Sequence, residues 1–239
     1  MEAYYITDIG RKRSSNQDYM FISERPVGSL PNLFIVADGM GGYAAGDLAS
    51  KMAVETIVEY IESHQSEDFE TLIKDAISNA NTVIRGKAAS DPVLEGMGTT
   101  VVLCVINSDY IIVANVGDSR LYAINDDLRQ ITTDHSYVQE MVRMGRIRGD
   151  EASRHPDKNV ITRAVGAEDG INVDIFKENI FPGEMFLLCT DGLTNMVEDD
   201  RILQILSENS ELSEAGNMLV DQANEKGGRD NITVVLVRI

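Results

Sequence analysis

Histidine and cysteine are scarce in this 239-residue chain, and their placement removes several kinds of chemistry. The three histidines, His64, His135 and His155, lie in unrelated segments, so a His-based metal site or catalytic triad has little support. The two cysteines, Cys104 and Cys189, sit inside apolar strand-like runs and read as small buried hydrophobes, not as a disulfide framework. Positive charge is also short. The 21 lysines and arginines face 39 acids, and the formal net charge of -18 opposes binding to nucleic acid or to an anionic membrane. No apolar stretch is long and charge-free enough to span a bilayer, and Met1-Glu2-Ala3-Tyr4 lacks a basic-then-apolar signal segment, which leaves cytoplasmic residence as the default. Short-period repeats and low-complexity tracts are absent.

What is there is enough apolar material, 43% of the residues, to bury a core as one compact domain spanning 1–239. A helix-like segment starts at Asp47, with Leu48/Met52 and Ala53/Ile57/Ile61 at four-residue spacing. A second starts at Asp68 and places Phe69, Leu72, Ile73, Ala76, Ile77, Ala80, Val83 and Ile84 on one face. The two read as an antiparallel pair. Residues 99–106 and 110–116 are rich in β-branched side chains and read as a hairpin around Asn107-Ser108-Asp109, and 120–124 with 130–132 as another around Asn125-Asp126-Asp127. Strands at 172–177, 184–189 and 232–238 extend the set, and 198–207 with 213–225 form a second helical pair, with Ala215, Met218, Leu219 and Gln222 at helical spacing. Successive strands without intervening helices imply antiparallel pairing, so the order of elements predicts an α+β fold of two antiparallel sheets packed face to face between helical layers.

Two strand-like runs end in the same dipeptide. Leu33-Phe34-Ile35-Val36-Ala37 leads into Asp38-Gly39, and Met185-Phe186-Leu187-Leu188-Cys189-Thr190 into Asp191-Gly192. A buried strand that stops at a carboxylate places an anion at the rim of the core, where it needs a cation, and glycine beside it lets backbone approach closely. The strand 111–116 likewise ends in Gly117-Asp118, and Gly228-Arg229-Asp230-Asn231 precedes the last strand. Asp18 follows Arg13 near the start of the chain, before the strand 19–22. Hard oxygen donors of this kind suit Mg²⁺ or Mn²⁺, and a polynuclear hard-metal centre is the natural reading. Each Asp-Gly taken alone is an ordinary turn former, and an N-terminal turn cap is the plain alternative for Asp18.

In order, Arg13-x-x-Asn16-x-Asp18, Asp38-Gly39-Met40-Gly41-Gly42, Gly98-Thr99-Thr100, Gly117-Asp118-Ser119-Arg120, Thr190-Asp191-Gly192 and Gly228-Arg229-Asp230-Asn231 resemble the metal-dependent PPM, or type 2C, serine/threonine protein phosphatases. The stretch His155-Pro156-x-x-Asn159-x-Ile161-Thr162-Arg163-Ala164-x-Gly166 resembles bacterial members, so the likeness spans nearly the whole chain. It implies a four-layer αββα sandwich with the metal centre at one end. By the same resemblance, Asp38 bridges two Mn²⁺ or Mg²⁺ ions, Asp191 and Asp230 complete one site, the Gly39 carbonyl serves the other, and Asp118 with Asp191 matches a weaker third site. Asp18 would act through metal-bound water, and Arg13 would hold the phosphate. The implied activity is hydrolysis of phosphoserine and phosphothreonine by a metal-bridging hydroxide, with phosphorylated proteins as substrates, a cognate serine/threonine kinase as the opposing enzyme, and a monomeric state.

The chain departs from the pattern at Met40, where many eukaryotic relatives carry a histidine proposed as the leaving-group acid, and at Gln17, which is acidic in many of them; both favour a bacterial-type assignment. Other phosphatase chemistries fail on the residues. Neither cysteine leads an arginine-closed phosphate loop, and Asp38 and Asp191 lack a second aspartate two positions on. Gly41-Gly42 lacks the Lys-Ser/Thr ending of a P-loop and reads as a tight turn into the first helix. The segment 136–159 reads as an inserted flap with a short helix at 137–144, and Arg143, Arg146, Arg148, Arg154, Lys158 and Arg163 concentrate positive charge along it; a solvated loop is the alternative. A regulatory pseudophosphatase that binds phosphoproteins without turnover is the alternative for the whole chain, and retention of every expected acid argues against it.

Overall fold

The computed structural model describes residues 1–152 and 155–239, apart from the side chains of residues 42–44; Arg154 of the basic segment lies outside the described residues. In chain order the strands are β1 (Glu2–Asp8), β2 (Asp18–Ser23), β3 (Leu33–Met40), β4 (Gly98–Thr99), β5 (Val101–Ile106), β6 (Tyr110–Val116), β7 (Arg120–Ile124), β8 (Leu128–Gln130), β9 (Asp174–Asn179), β10 (Met185–Cys189) and β11 (Ile232–Arg238). The helices are α1 (Gly42–Ser63), α2 (Phe69–Ser90), α3 (Tyr137–Arg143), α4 (Gly149–Ala152), α5 (Asp191–Thr194), α6 (Asp199–Glu208) and α7 (Leu212–Glu225). One antiparallel sheet has the order β1-β11-β10-β7-β8, and the other runs β2-β3-β5-β6-β9 with β4 paired to the end of β3. The fold is α+β, as the order of elements predicts.

Strand alternation explains the layers, because successive side chains point to opposite faces of a sheet. In β3, Leu33, Ile35 and Ala37 pack under α1 and α2, while Phe34 and Val36 face the other sheet. In β10, Met185, Leu187 and Cys189 meet α5–α7, while Phe186 and Leu188 turn inward between the sheets. Both faces of these strands are buried, which is why their sequences are continuous apolar runs. Cys104 lies between the sheets and Cys189 under the helices, and both are free and buried thiols.

Several boundaries differ from the sequence expectation. The edge strand β1 has no predicted counterpart: acids stand at both its ends and Tyr5 is exposed, so its alternation is weak, and pairing to β11 from Glu2↔Arg238 to Asp8↔Ile232 defines it. Helix α1 begins at Gly42, five residues before Asp47, because the buried small residues Ala45, Ala49 and Ala53 carry its packing where large apolar periodicity is missing. The turn before it is Gly41, at φ +121°, as the tight-turn reading has it. Strands β8 and β9 lie two residues from their predicted starts, and Val83 and Met218 are exposed, off the packed faces of α2 and α7. Among the described residues no helix is long and apolar enough to cross a membrane.

Candidate functional site

The two sheets meet at the ends that carry the acids. Asp18 opens β2 directly opposite Asp38 of β3. From the other sheet, Thr190 and Thr233 donate their hydroxyls to the same Asp18 carboxylate oxygen at 2.9 and 2.6 Å. Asp38 is held through its backbone: its N–H donates to Thr100 Oγ1 at 2.9 Å, and its carbonyl accepts from Thr99 Oγ1 and the Thr100 N–H, both at 2.8 Å. Asn231 pins the N-terminal loop by accepting from the Gln17 N–H and donating to the carbonyls of Ile9 and Ser15. That loop carries Arg13.

The glycine of each Asp-Gly pair has a packing role. A Cβ on Gly39 would stand 1.9 Å from the Gly46 carbonyl oxygen of α1, and one on Gly192 would stand 1.9 Å from the Asn231 carbonyl oxygen. Neither has positive φ. The aspartate thus reaches the rim of the core only because its neighbour lets two backbones touch.

A cleft of about 540 Å³ opens here, lined by Arg13, Asp38, Gly39, Asp118, Asp191 and Asp230 together with Lys12, Gln17 and Asn159. Every site residue expected from the sequence is at this cleft except Asp18, which lies beneath it as a buried cross-strand neighbour of Asp38. Asp230 accepts from Arg13 Nη2 at 2.7 Å, and Asp191 accepts from Asn195 Nδ2 at 2.8 Å. Among the described residues no three carboxylate, imidazole or thiol groups converge into a ready ligand set. Acids set around one cleft repel one another when ionised.

That repulsion registers in the ionisation of the group. Burial, then the charges of Asp18, Asp191 and Asp118, holds the Asp38 carboxyl well above the usual carboxylate range. Burial raises Asp118 to about 8, with Asp191 and Asp134 adding to it. Asp18 rises to about 7 through burial, opposed by the Thr233 and Thr190 hydroxyls. Asp191 rises to about 6 through burial and Asp230, opposed by Arg120, Arg13 and Lys158. The Oδ1 atoms of Asp18 and Asp191 are buried with no hydrogen-bond partner among the described residues. Buried oxygens lacking donors and carboxylates pressed toward protonation are the signature of a donor set short of positive charge, which hard divalent cations fit.

Sequence reasoning missed part of the support. Thr233 lies in the apolar pattern of β11, where the strand pairing sets it beside Thr190, and only the packing of the two sheets brings it to Asp18. His135 is buried, and its Nδ1 accepts the Gly117 N–H at 3.0 Å, so the neutral ring carries its proton on Nε2, 3.2 Å from Asp174. Arg163 completes this cluster by donating to Asp174 at 2.6 Å. No motif in the sequence links His135, Arg163 and Asp174, which lie on separate segments.

The sequence pattern described as Protein phosphatase 2C matches residues 10–225. The chain belongs to this family. It is 41% identical over 242 residues to the serine/threonine phosphatase stp of Listeria innocua, covering 99% of this chain and 95% of that protein. Its fold is similar to that of serine/threonine phosphatase Stp1 from Staphylococcus aureus, with a TM-score of 0.92 at 33% identity, covering 100% of this chain and 94% of Stp1. It is also similar, with a TM-score of 0.85 at 32% identity over 98% of this chain and 96% of the other, to the catalytic domain of PstP, a serine/threonine protein phosphatase solved with two manganese ions. Family membership makes the chain a serine/threonine protein phosphatase, and the α+β two-sheet architecture is that of PPM phosphatase structures.

Proposed function

We propose that the chain is a cytoplasmic, metal-dependent hydrolase of phosphoserine and phosphothreonine in proteins, opposing a serine/threonine kinase, with residues 1–239 forming one catalytic unit. The observation that carries the metal dependence is the under-compensated carboxylate cluster lining the cleft, with its raised carboxyl pKa values and the orphaned Oδ1 of Asp191. Asp38, Asp191, Asp230 and the Gly39 carbonyl would hold two Mn²⁺ or Mg²⁺ ions, and Asp118 with Asp191 a weaker third; the two manganese ions of PstP support this reading. Such ions, when bound, acidify water and neutralise phosphate charge.

The chain's own residues then divide the remaining work. Arg13 spends one guanidinium nitrogen on Asp230, and its other donors stand at the cleft for the non-bridging phosphate oxygens. Asp18 gives one oxygen to two threonine hydroxyls and keeps Oδ1 uncommitted beneath the cleft, where it can orient water. Thr99 and Thr100 fix the backbone of Asp38 so that its carboxylate is presented without a conformational search. No histidine lines the cleft among the described residues, so the proton for the leaving serine or threonine oxygen falls to water.

The test is hydrolysis of a phosphothreonine peptide by protein stripped of metal, then resupplied with Mn²⁺ or Mg²⁺. Activity is expected only after resupply, with the fold retained throughout. Full turnover by stripped protein, with metal absence confirmed by elemental analysis, would overturn the metal assignment, and phosphopeptide binding without turnover at any metal concentration would favour the pseudophosphatase reading.

A further inference from the structure

A second cavity of about 580 Å³ adjoins the cleft and shares Met40 and Ile161 with it. Its wall is the stretch 161–172, which contains no helix or strand. Loops of that length without secondary structure of their own are uncommon inside compact folds and are usually functional. This one is fastened along its length. Ile161 bridges to Ser136, and Val165 to Thr99 of β4. The buried Asn81 of α2 accepts from the Gly166 N–H at 2.6 Å and donates to the Glu168 carbonyl at 3.1 Å. Arg163 is bound to both Asp174 and the Asn172 carbonyl. A groove braced this way exists before any ligand arrives.

The lining has a definite character. Ala164, Ala167, Ile171, Met40 and Ile161 give it an apolar side, and Thr162, Arg163, Glu168 and Asn172 a polar one. Arg163 has its charge taken by Asp174, whereas the exposed Glu168 carboxylate has no ion-pair partner among the described residues. A phosphorylated side chain seated among the acids must leave the cleft as polypeptide, and the shared Met40–Ile161 wall is one way out, which opens into this groove.

Building on the phosphatase reading, we propose that this groove is a specificity subsite for the substrate polypeptide, taking an aliphatic side chain near the phosphorylated residue with a lysine or arginine beside it against Glu168. Continuity with the cleft, the apolar side of the lining and a carboxylate on it with no ion-pair partner among the described residues select this occupant. The subsite acts on peptide and protein substrates. A small aryl phosphate fills only the cleft and does not sense it.

The experiment compares phosphothreonine peptides in which leucine or aspartate stands at each nearby position in turn, with arginine or glutamate alongside, and p-nitrophenyl phosphate as the small substrate, all with Mn²⁺. At the preferred position the wild-type protein is expected to favour leucine over aspartate in kcat/KM by about tenfold, the scale of one well-filled apolar contact. Ala167→Trp, at an exposed position that fills the groove, should abolish that preference, and Glu168→Lys should reverse the arginine-over-glutamate preference at low salt, with both variants hydrolysing p-nitrophenyl phosphate like wild type. Equal treatment of all peptides by wild type, or retention of both preferences in the variants, overturns the subsite. Failure of wild type to hydrolyse p-nitrophenyl phosphate and every peptide would instead overturn the phosphatase reading on which it rests.

Discussion

Replacing Asp191 by asparagine is expected to destroy turnover and yet stabilise the metal-free fold. The carboxyl of Asp191 has its pKa moved from 3.8 to about 6 by burial and the neighbouring Asp230. A carboxyl raised in the folded state binds its proton more tightly there than in the unfolded chain, so stability is highest below 3.8 and is lost as pH rises through about 6. At pH 8 the full cost of the charge is present. At 1.36 kcal/mol for each pKa unit it amounts to about 3 kcal/mol. Asparagine keeps the side-chain oxygen that accepts from Asn195 and removes the charge that also presses on Asp38, Asp18 and Asp118. For a domain of this size the gain corresponds to roughly 6 to 12 °C in midpoint temperature. The assay is thermal unfolding of chelator-treated wild type and Asp191→Asn at pH 8 and pH 5, then with added Mn²⁺. The variant's advantage should be large at pH 8 and smaller at pH 5, and Mn²⁺ should raise the wild-type midpoint more than the variant's, because ligand binding stabilises only a fold that retains the site. A variant no more stable than wild type at pH 8, or an advantage independent of pH, would refute the account of the cluster as a set of under-compensated charges.

Arg13→Ala should cost about a hundredfold in kcat/KM on a phosphothreonine peptide, and less on an activated aryl phosphate whose better leaving group demands less charge stabilisation; equal, negligible effects on both would rule out the clamp. Asp38→Ala should abolish turnover at any Mn²⁺ concentration, while Asp118→Ala should raise the Mn²⁺ concentration needed and leave measurable turnover at saturation, which a metal titration of both variants checks. Neutralising Arg143, Arg146 and Arg148 together should impair phosphoprotein more than aryl phosphate hydrolysis, with the difference shrinking as salt rises; most of the effect should come from Arg143 and Arg146, since Arg148 is already engaged by Asp150 at 3.0 Å.

The site was legible in the sequence to the extent that its residues end or open strands. Asp38, Asp118, Asp191 and Asp230 each stand beside an apolar run, and the runs are long because their strands are buried on both faces. The same burial made the helix and strand assignments at the core recoverable. What was not legible depends on partners distant in the chain. Thr233 reaches Asp18 across 215 residues, and nothing in its neighbourhood distinguishes it from any strand threonine. The start of α1 was hidden because Ala45 and Gly46 pack by being small, a signal that apolar periodicity does not carry. The edge strand β1 takes its register from β11 and not from its own alternation.

Asp18 shows why the fold tolerates a cluster that works against it. The residue sits where the two sheets meet, with the hydroxyls of Thr190 and Thr233 from one sheet closing on a carboxylate of the other. Those two bonds lower its pKa while burial and the neighbouring acids raise it, and the balance leaves it near neutrality at about 7. The fold therefore need not bear every charge in the absence of a cation: at neutral pH part of the cluster can hold protons instead. Cations that displace those protons convert a repulsive set of acids into a ligand set, so loading should release protons and depend steeply on pH between about 6 and 8. The three apolar layers, one between the sheets and one under each helical group, run up to this end through Ala37, Cys189, Leu193 and Ile232 and contain none of the exchanging carboxylates. Stability resides in the layers and reactivity at the rim, and the Asp-Gly pairs mark the boundary between the two.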